Sequence, residues 1–159
     1  MSLFGVCVSA LVLTLASSEA LLDRFTGDWK GEGRVLGMES RLTMRWEPVL
    51  DGRFVKLSFR NEMRNASAET QVFEGHAYYK PDGIGHYRGT WFDSSGALRP
   101  IEASAEGDAL TSDWGTAETE RGRTVYRLTD DGGMEVTDFV HTKDGPLRPF
   151  GQSRFKRAP

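Results

Sequence analysis

Three histidines, His76, His86 and His141, are the side chains best suited to proton or metal chemistry near neutral pH. None of the intervals between them matches a short ligand spacing such as His-x-x-x-His, which places two imidazoles on one ion. Each reads as a strand-surface or hydrogen-bonded histidine, and no metal site is assigned. A second chemical set is the interleaving of Arg45, Glu47, Arg60, Glu62, Arg88 and Asp93. Turned inward, these groups could bind an anionic substrate or shuttle protons. Turned outward, they form exposed cross-strand pairs, which is the reading their alternation favours. Ser112-Asp113-Trp114 and the other serines lack a nucleophile elbow. The glycines after Trp29 precede no helical pattern, so no dinucleotide or phosphate loop is present. No catalytic residue is assigned and the reading leans away from an enzyme, with an interior acid/base site kept as an alternative.

The frame for these groups is one domain of 159 residues. Twenty Lys and Arg against 23 Asp and Glu give a net charge of −3, which argues against a nucleic-acid partner. A hydrophobic content of 38% suffices for one core and is too low for a multi-span membrane protein. The single cysteine, Cys7, excludes a disulfide framework and a Cys-rich zinc site.

The N-terminus is a separate object. Leu3–Ala16 is an apolar run, short for a membrane span and suited to the core of a signal peptide. Ser18 and Ala20 are small residues at the positions a signal peptidase reads, although the run is preceded by no Lys or Arg. The expectation is a signal peptide at 1–20, a barrel domain at 21–159, no stable membrane span after cleavage, and a periplasmic or secreted location.

From Asp23 onward the apolar period is two more often than 3.6. Leu42–Trp46, Val55–Arg60 and Tyr87–Trp91 alternate clearly. Nine turn signals recur about every ten residues. They run from Leu36-Gly37 through Asp51-Gly52, Asn65-Ala66-Ser67, Pro81-Asp82-Gly83 and Asp93–Gly96 to Glu106-Gly107-Asp108, Trp114-Gly115, Asp130–Gly133 and Lys143-Asp144-Gly145. Asn65-Ala66-Ser67 also fits a glycosylation sequon and reads as a polar loop. Nine turns imply about ten antiparallel strands. The fold class is therefore all-β, a roughly ten-stranded up-and-down barrel, entered by a short helix at 20–25. Closure removes the sheet edges, and that strand number leaves spare interior.

The segment Phe25-Thr26-Gly27-Asp28-Trp29-Lys30-Gly31-Glu32-Gly33 resembles the first strand of the calycins, the lipocalin-like barrels. Trp46–Phe54, Phe73–Tyr79 and Tyr87–Asp93 extend the resemblance in order across most of 23–157. The nearest likeness is to the uncharacterised DUF1579-like barrels and, more distantly, to nitrobindin-type barrels. The calycin pattern implies that Trp29 plugs one end of the barrel and that an arginine of the last strand, matched by Arg154, stacks on it as a structural clasp. The nitrobindin likeness implies haem as an alternative ligand, with His141 in the place of the iron-binding histidine of the C-terminal region.

The expected function is non-covalent binding of a small, largely apolar molecule inside the barrel, with no cofactor assigned and oligomeric state open. The apolar parity of the strands nominates Met44, Trp46, Leu57, Phe59, Tyr79, Tyr87, Trp91, Tyr126 and Phe139 as its wall. An envelope interaction protein with a filled barrel is the remaining alternative.

Overall fold

The computed structural model describes residues 16–142 and 145–159, and side chains from residue 21 onward. A helix, α1 (Ala16–Phe25), leads into ten strands. These are β1 (Gly27–Val35), β2 (Met38–Val49), β3 (Phe54–Arg64), β4 (Thr70–Pro81), β5 (His86–Asp93), β6 (Leu98–Glu106), β7 (Ala109–Trp114), β8 (Gly122–Leu128), β9 (Met134–His141) and β10 (Leu147–Arg157). Every strand pairs antiparallel with its chain neighbours, and β1 pairs β10 to close the barrel. The alternation read from the sequence is the inside–outside pattern of this wall, and the strand count matches the turn count. The helix begins at Ala16, ahead of the expected 20–25. Most of the apolar run and Cys7 fall in residues 1–15, outside the described residues, as do Lys143 and Asp144 of the last turn.

Up-and-down connectivity gives the barrel two different ends. Odd strands start at one end, where α1 enters, and even strands finish there. Leu21, Leu22 and Phe25 of α1 are buried in the core. Each contributes about 1.5–3 kcal/mol of burial. The Phe25 ring lies 5.2 Å from Trp46 and 6.3 Å from Tyr126, so the helix is a plug set into the barrel floor.

The end of the plug is fully hydrogen-bonded. A helix leaves its last carbonyls without intrahelical donors. Here Thr26 Oγ1 donates to the Leu22 carbonyl and the Thr26 N–H to that of Asp23. The Trp29 indole N–H donates to the Phe25 carbonyl at 2.7 Å. The Arg157 guanidinium donates to the carbonyls of Arg24 and Thr26. Gly27, at φ 122°, makes the turn from helix to strand in a region that side chains disfavour.

The clasp on Trp29 is Arg157, a correction to the expected Arg154. The Arg157 guanidinium carbon lies 4.4 Å from the Trp29 ring centroid. Trp29 pairs directly with Arg157 across β1 and β10. Parity explains the difference. Phe155 faces inward, so Arg157 shares its side and Arg154 faces out, where it meets Glu135 at 3.2 Å.

Candidate functional site: the cavity at the open end

The opposite end has no plug. Odd strands finish there and even strands begin there, and the inward side chains of those segments enclose a cavity of about 390 Å³. Its upper wall is aromatic. Phe59 of β3, Phe73 of β4 and Trp91 of β5 contact one another with ring centroids 6.1–6.4 Å apart. Trp114 of β7, two strands on from β5, and Phe150 of β10 also line the cavity. Phe150 lies where the β9–β10 register shifts, and such an irregularity re-aims a side chain. Two glycines make room for the indoles. A methyl group at Gly75 would land in the Trp91 ring, and one at Gly122 in the Trp114 ring.

The rim is charged and internally paired. The Asp93 carboxylate is almost completely buried and accepts from the Trp91 indole N–H, the Ser95 and Ala97 amides, the Ser95 hydroxyl and Arg99. Burial pushes its pKa up, but the Ser95, Trp91 and backbone bonds together hold it below the ordinary carboxylate value. Arg99 lies 2.9 Å from Asp93 and 3.3 Å from Glu120, with its guanidinium 5.6 Å from the Trp114 ring centroid.

Deeper in, the wall turns polar. Tyr79 and Ser112 share a buried hydrogen bond at 3.0 Å. Burial pushes the Tyr79 phenol up to about 12, against the lowering effect of its bonds to Ser112 and Tyr126. Tyr126 is also raised well above its ordinary value, first by burial and then by the neighbouring Tyr79 and Asp138. Both phenols therefore stay protonated near neutral pH. The Thr124 hydroxyl donates to Asp138 at 2.7 Å. Asp138 lies on the cavity wall, half-buried, and desolvation raises its carboxyl to about 6 despite the Thr124 bond.

Of the nine residues nominated from sequence, Phe59, Tyr79, Trp91 and Tyr126 line this cavity. Met44, Trp46, Leu57 and Tyr87 are buried in the hydrophobic core and do not line it. Trp46 belongs to the floor, packed on Phe25 and stacked on Tyr79 at 5.6 Å. Phe139 is a correction, because Asp138 and Val140 point inward and Phe139, between them, points out.

Asp138, Asn61, Thr124, Ser112 and Arg99 were not foreseen. The signal for Asp138 was the parity of Met134 and Val136, carried two residues further. Of the charged strand residues, Arg45, Arg60 and Arg88 make exposed outer-face pairs with Glu47, Glu62 and Glu74, and Asp82. Asp93 alone of that set faces the cavity.

His141 follows the outward parity of Phe139, with Nδ1 3.4 Å from the Gly145 carbonyl oxygen. No histidine lines the cavity, so the described residues do not fit haem held through His141. Among the described residues no group of three or more His, Cys, Asp and Glu is placed to hold a metal ion. No helix among them is long and apolar enough to cross a membrane.

The fold is a closed ten-stranded antiparallel barrel, plugged by a helix at one end and hollow at the other. The family model described as "Protein of unknown function (DUF1579)" matches residues 15–157, and the chain belongs to that family. Among solved structures the chain is similar to Rv2717c from M. tuberculosis, with a TM-score of 0.63 at 14% identity. That likeness covers 91% of this chain and 99% of the other, and it concerns the fold alone. No curated protein matches the sequence.

Proposed function

We propose that the protein binds a small, largely apolar molecule without covalent chemistry, in the cavity at the open end of the barrel. The observation that carries the reading is the hollow of about 390 Å³, walled by Phe59, Phe73, Trp91 and Trp114 and lined mainly by apolar side chains. Concave, largely apolar sites with a few convergent polar groups are the usual form of a small-ligand site. The division of labour between the ends supports it. α1 fills the floor, so the remaining space opens where the connecting loops leave access.

Native mass spectrometry of gently purified protein, beside its visible absorption spectrum with and without added haem, tests this. An added organic mass at one-to-one stoichiometry and no Soret band is the expected result. A Soret band that depends on His141 would replace this reading with a haem protein. We also propose export to the periplasm or beyond, on the strength of the Leu3–Ala16 run followed by Ser18 and Ala20. N-terminal sequencing of the cell-envelope fraction should read Leu21 first. An intact Met1 would refute export by cleavage at this site.

A further inference from the structure

The charges facing the cavity do not balance. Asp93, Glu120 and Asp138 line it against Arg99 alone. Arg99 is already engaged by Asp93 and Glu120, at 2.9 and 3.3 Å. Asp138 takes part in none of the ion pairs found among the described residues, and its side-chain partner is the Thr124 hydroxyl. On β3, four strands around the barrel from β9, Asn61 also lines the cavity. It is 2% exposed, and its Oδ1 has no hydrogen-bond donor. On well-separated walls of one cavity, Asn61 Oδ1 thus lacks a donor and the Asp138 carboxylate, bonded only to a neutral hydroxyl among side chains, lacks a cation. A partly buried charge without a counter-charge costs free energy that an entering cation recovers.

We propose that the ligand is a cationic amphiphile, an amine with an apolar body, and that Asp138 is the partner of its ammonium group. This deepens the cavity-binding reading and rests on it. The apolar body would lie against Phe59, Phe73 and Trp91, whose ring faces also favour a nearby cation. Donors of the ammonium could serve Asp138, while an N–H or O–H elsewhere on the ligand could serve Asn61. A carboxylate ligand would instead bring one more negative charge into an already acidic space.

The groups around Asp138 set the pH dependence. From β8 it meets Thr124 and the protonated phenol of Tyr126. The inward residues of β10 beside it, Gly151 and Ser153, carry no charge. Across the cavity are Asp93, Arg99 and Glu120. Asp138 is therefore the group whose protonation competes with an ammonium below about pH 6. Affinity for the amine should fall by up to about tenfold per pH unit below that value.

Calorimetric titration of the full chain with n-octylammonium, 1-octanol and octanoate, at about pH 7.5 and about pH 5, tests the proposal, with D138N run beside it. The expected result at the higher pH is at least about tenfold tighter binding of the amine than of the alcohol. That preference should vanish in D138N and shrink at the lower pH. Equal binding of amine and alcohol, or a preference that survives D138N, would overturn the amine assignment and leave the apolar cavity in place. No binding of any probe would remove the cavity reading and this inference together. If D138N does not fold, the wild-type pH series decides, and an amine preference unchanged between the two pH values rejects the proposal.

Discussion

The two ends of the barrel are made from the same strands and carry opposite designs. At the plugged end, Trp29, Trp46 and Phe25 are at most 1% exposed, and the last carbonyls of α1 have donors. At the open end Phe59, Phe73, Trp91 and Trp114 are only half-buried, and Asn61 and Asp138 face a hollow. A packed end holds the fold, although the buried Trp46 indole N–H there has no acceptor, while the other end tolerates spare volume and the unmatched Asn61 and Asp138.

Substitutions at the two ends should therefore separate stability from binding. Trp46→Ala, at the floor, has the largest expected effect, a loss of about 3–5 kcal/mol in chemical denaturation. Trp91→Ala, at the mouth, should cost about 1–2 kcal/mol and weaken any cavity ligand about tenfold or more. Equal stability losses would erase the distinction between the ends.

Asp138→Asn sharpens the comparison from the other side. The folded-state pKa of about 6 exceeds the unfolded value of 3.8, so the folded chain holds a proton that the unfolded chain has released. Stability from this group is full below about pH 4 and is lost as the pH rises through about 6. D138N should be more stable than the wild type above pH 6, by about 1–2 kcal/mol for a half-buried carboxyl. It should also flatten the pH dependence between 4 and 6, as read by thermal melts.

The smallest effect distinguishes the clasp. Arg157→Ala should cost about 1 kcal/mol through lost cation–π contact and lost donors to the helix carbonyls. Arg154→Ala should cost less than about 0.5 kcal/mol, since its Glu135 pair is exposed. Equal costs would place the clasp elsewhere.

The barrel was legible because a two-residue period and recurrent turn residues are local signals. Leu36-Gly37, with φ of 52° and 77°, is a two-residue turn that Gly37 favours and that Leu36 enters against its steric preference. The site was half legible. Alternation separates inside from outside, but it says nothing about height along the barrel axis. That is why Trp46 and Leu57 were grouped with Phe59 and Trp91, although α1 fills the floor beneath them. The missing rule is topological. In an up-and-down barrel plugged where β1 begins, the inward residues late in odd strands and early in even strands surround the opening. Asp138 escaped for a different reason, since a carboxylate at an inward position looks like an outward one. Its neighbours Phe139 and Val140 are both apolar, so the local pattern favoured the wrong face.

On the proposed reading, ligand enters the open end and leaves the plugged end untouched. The four tryptophans divide between the ends, with Trp29 and Trp46 at the floor and Trp91 and Trp114 at the mouth. Their indole N–H signals in a two-dimensional nitrogen–proton NMR spectrum, assigned by single Trp→Phe variants, report on each end separately. Titration with 1-octanol should shift the Trp91 and Trp114 signals saturably, leave Trp29 in place and move Trp46 less. Shifts confined to Trp29 and Trp46, or shifts that never saturate at any signal, would contradict it.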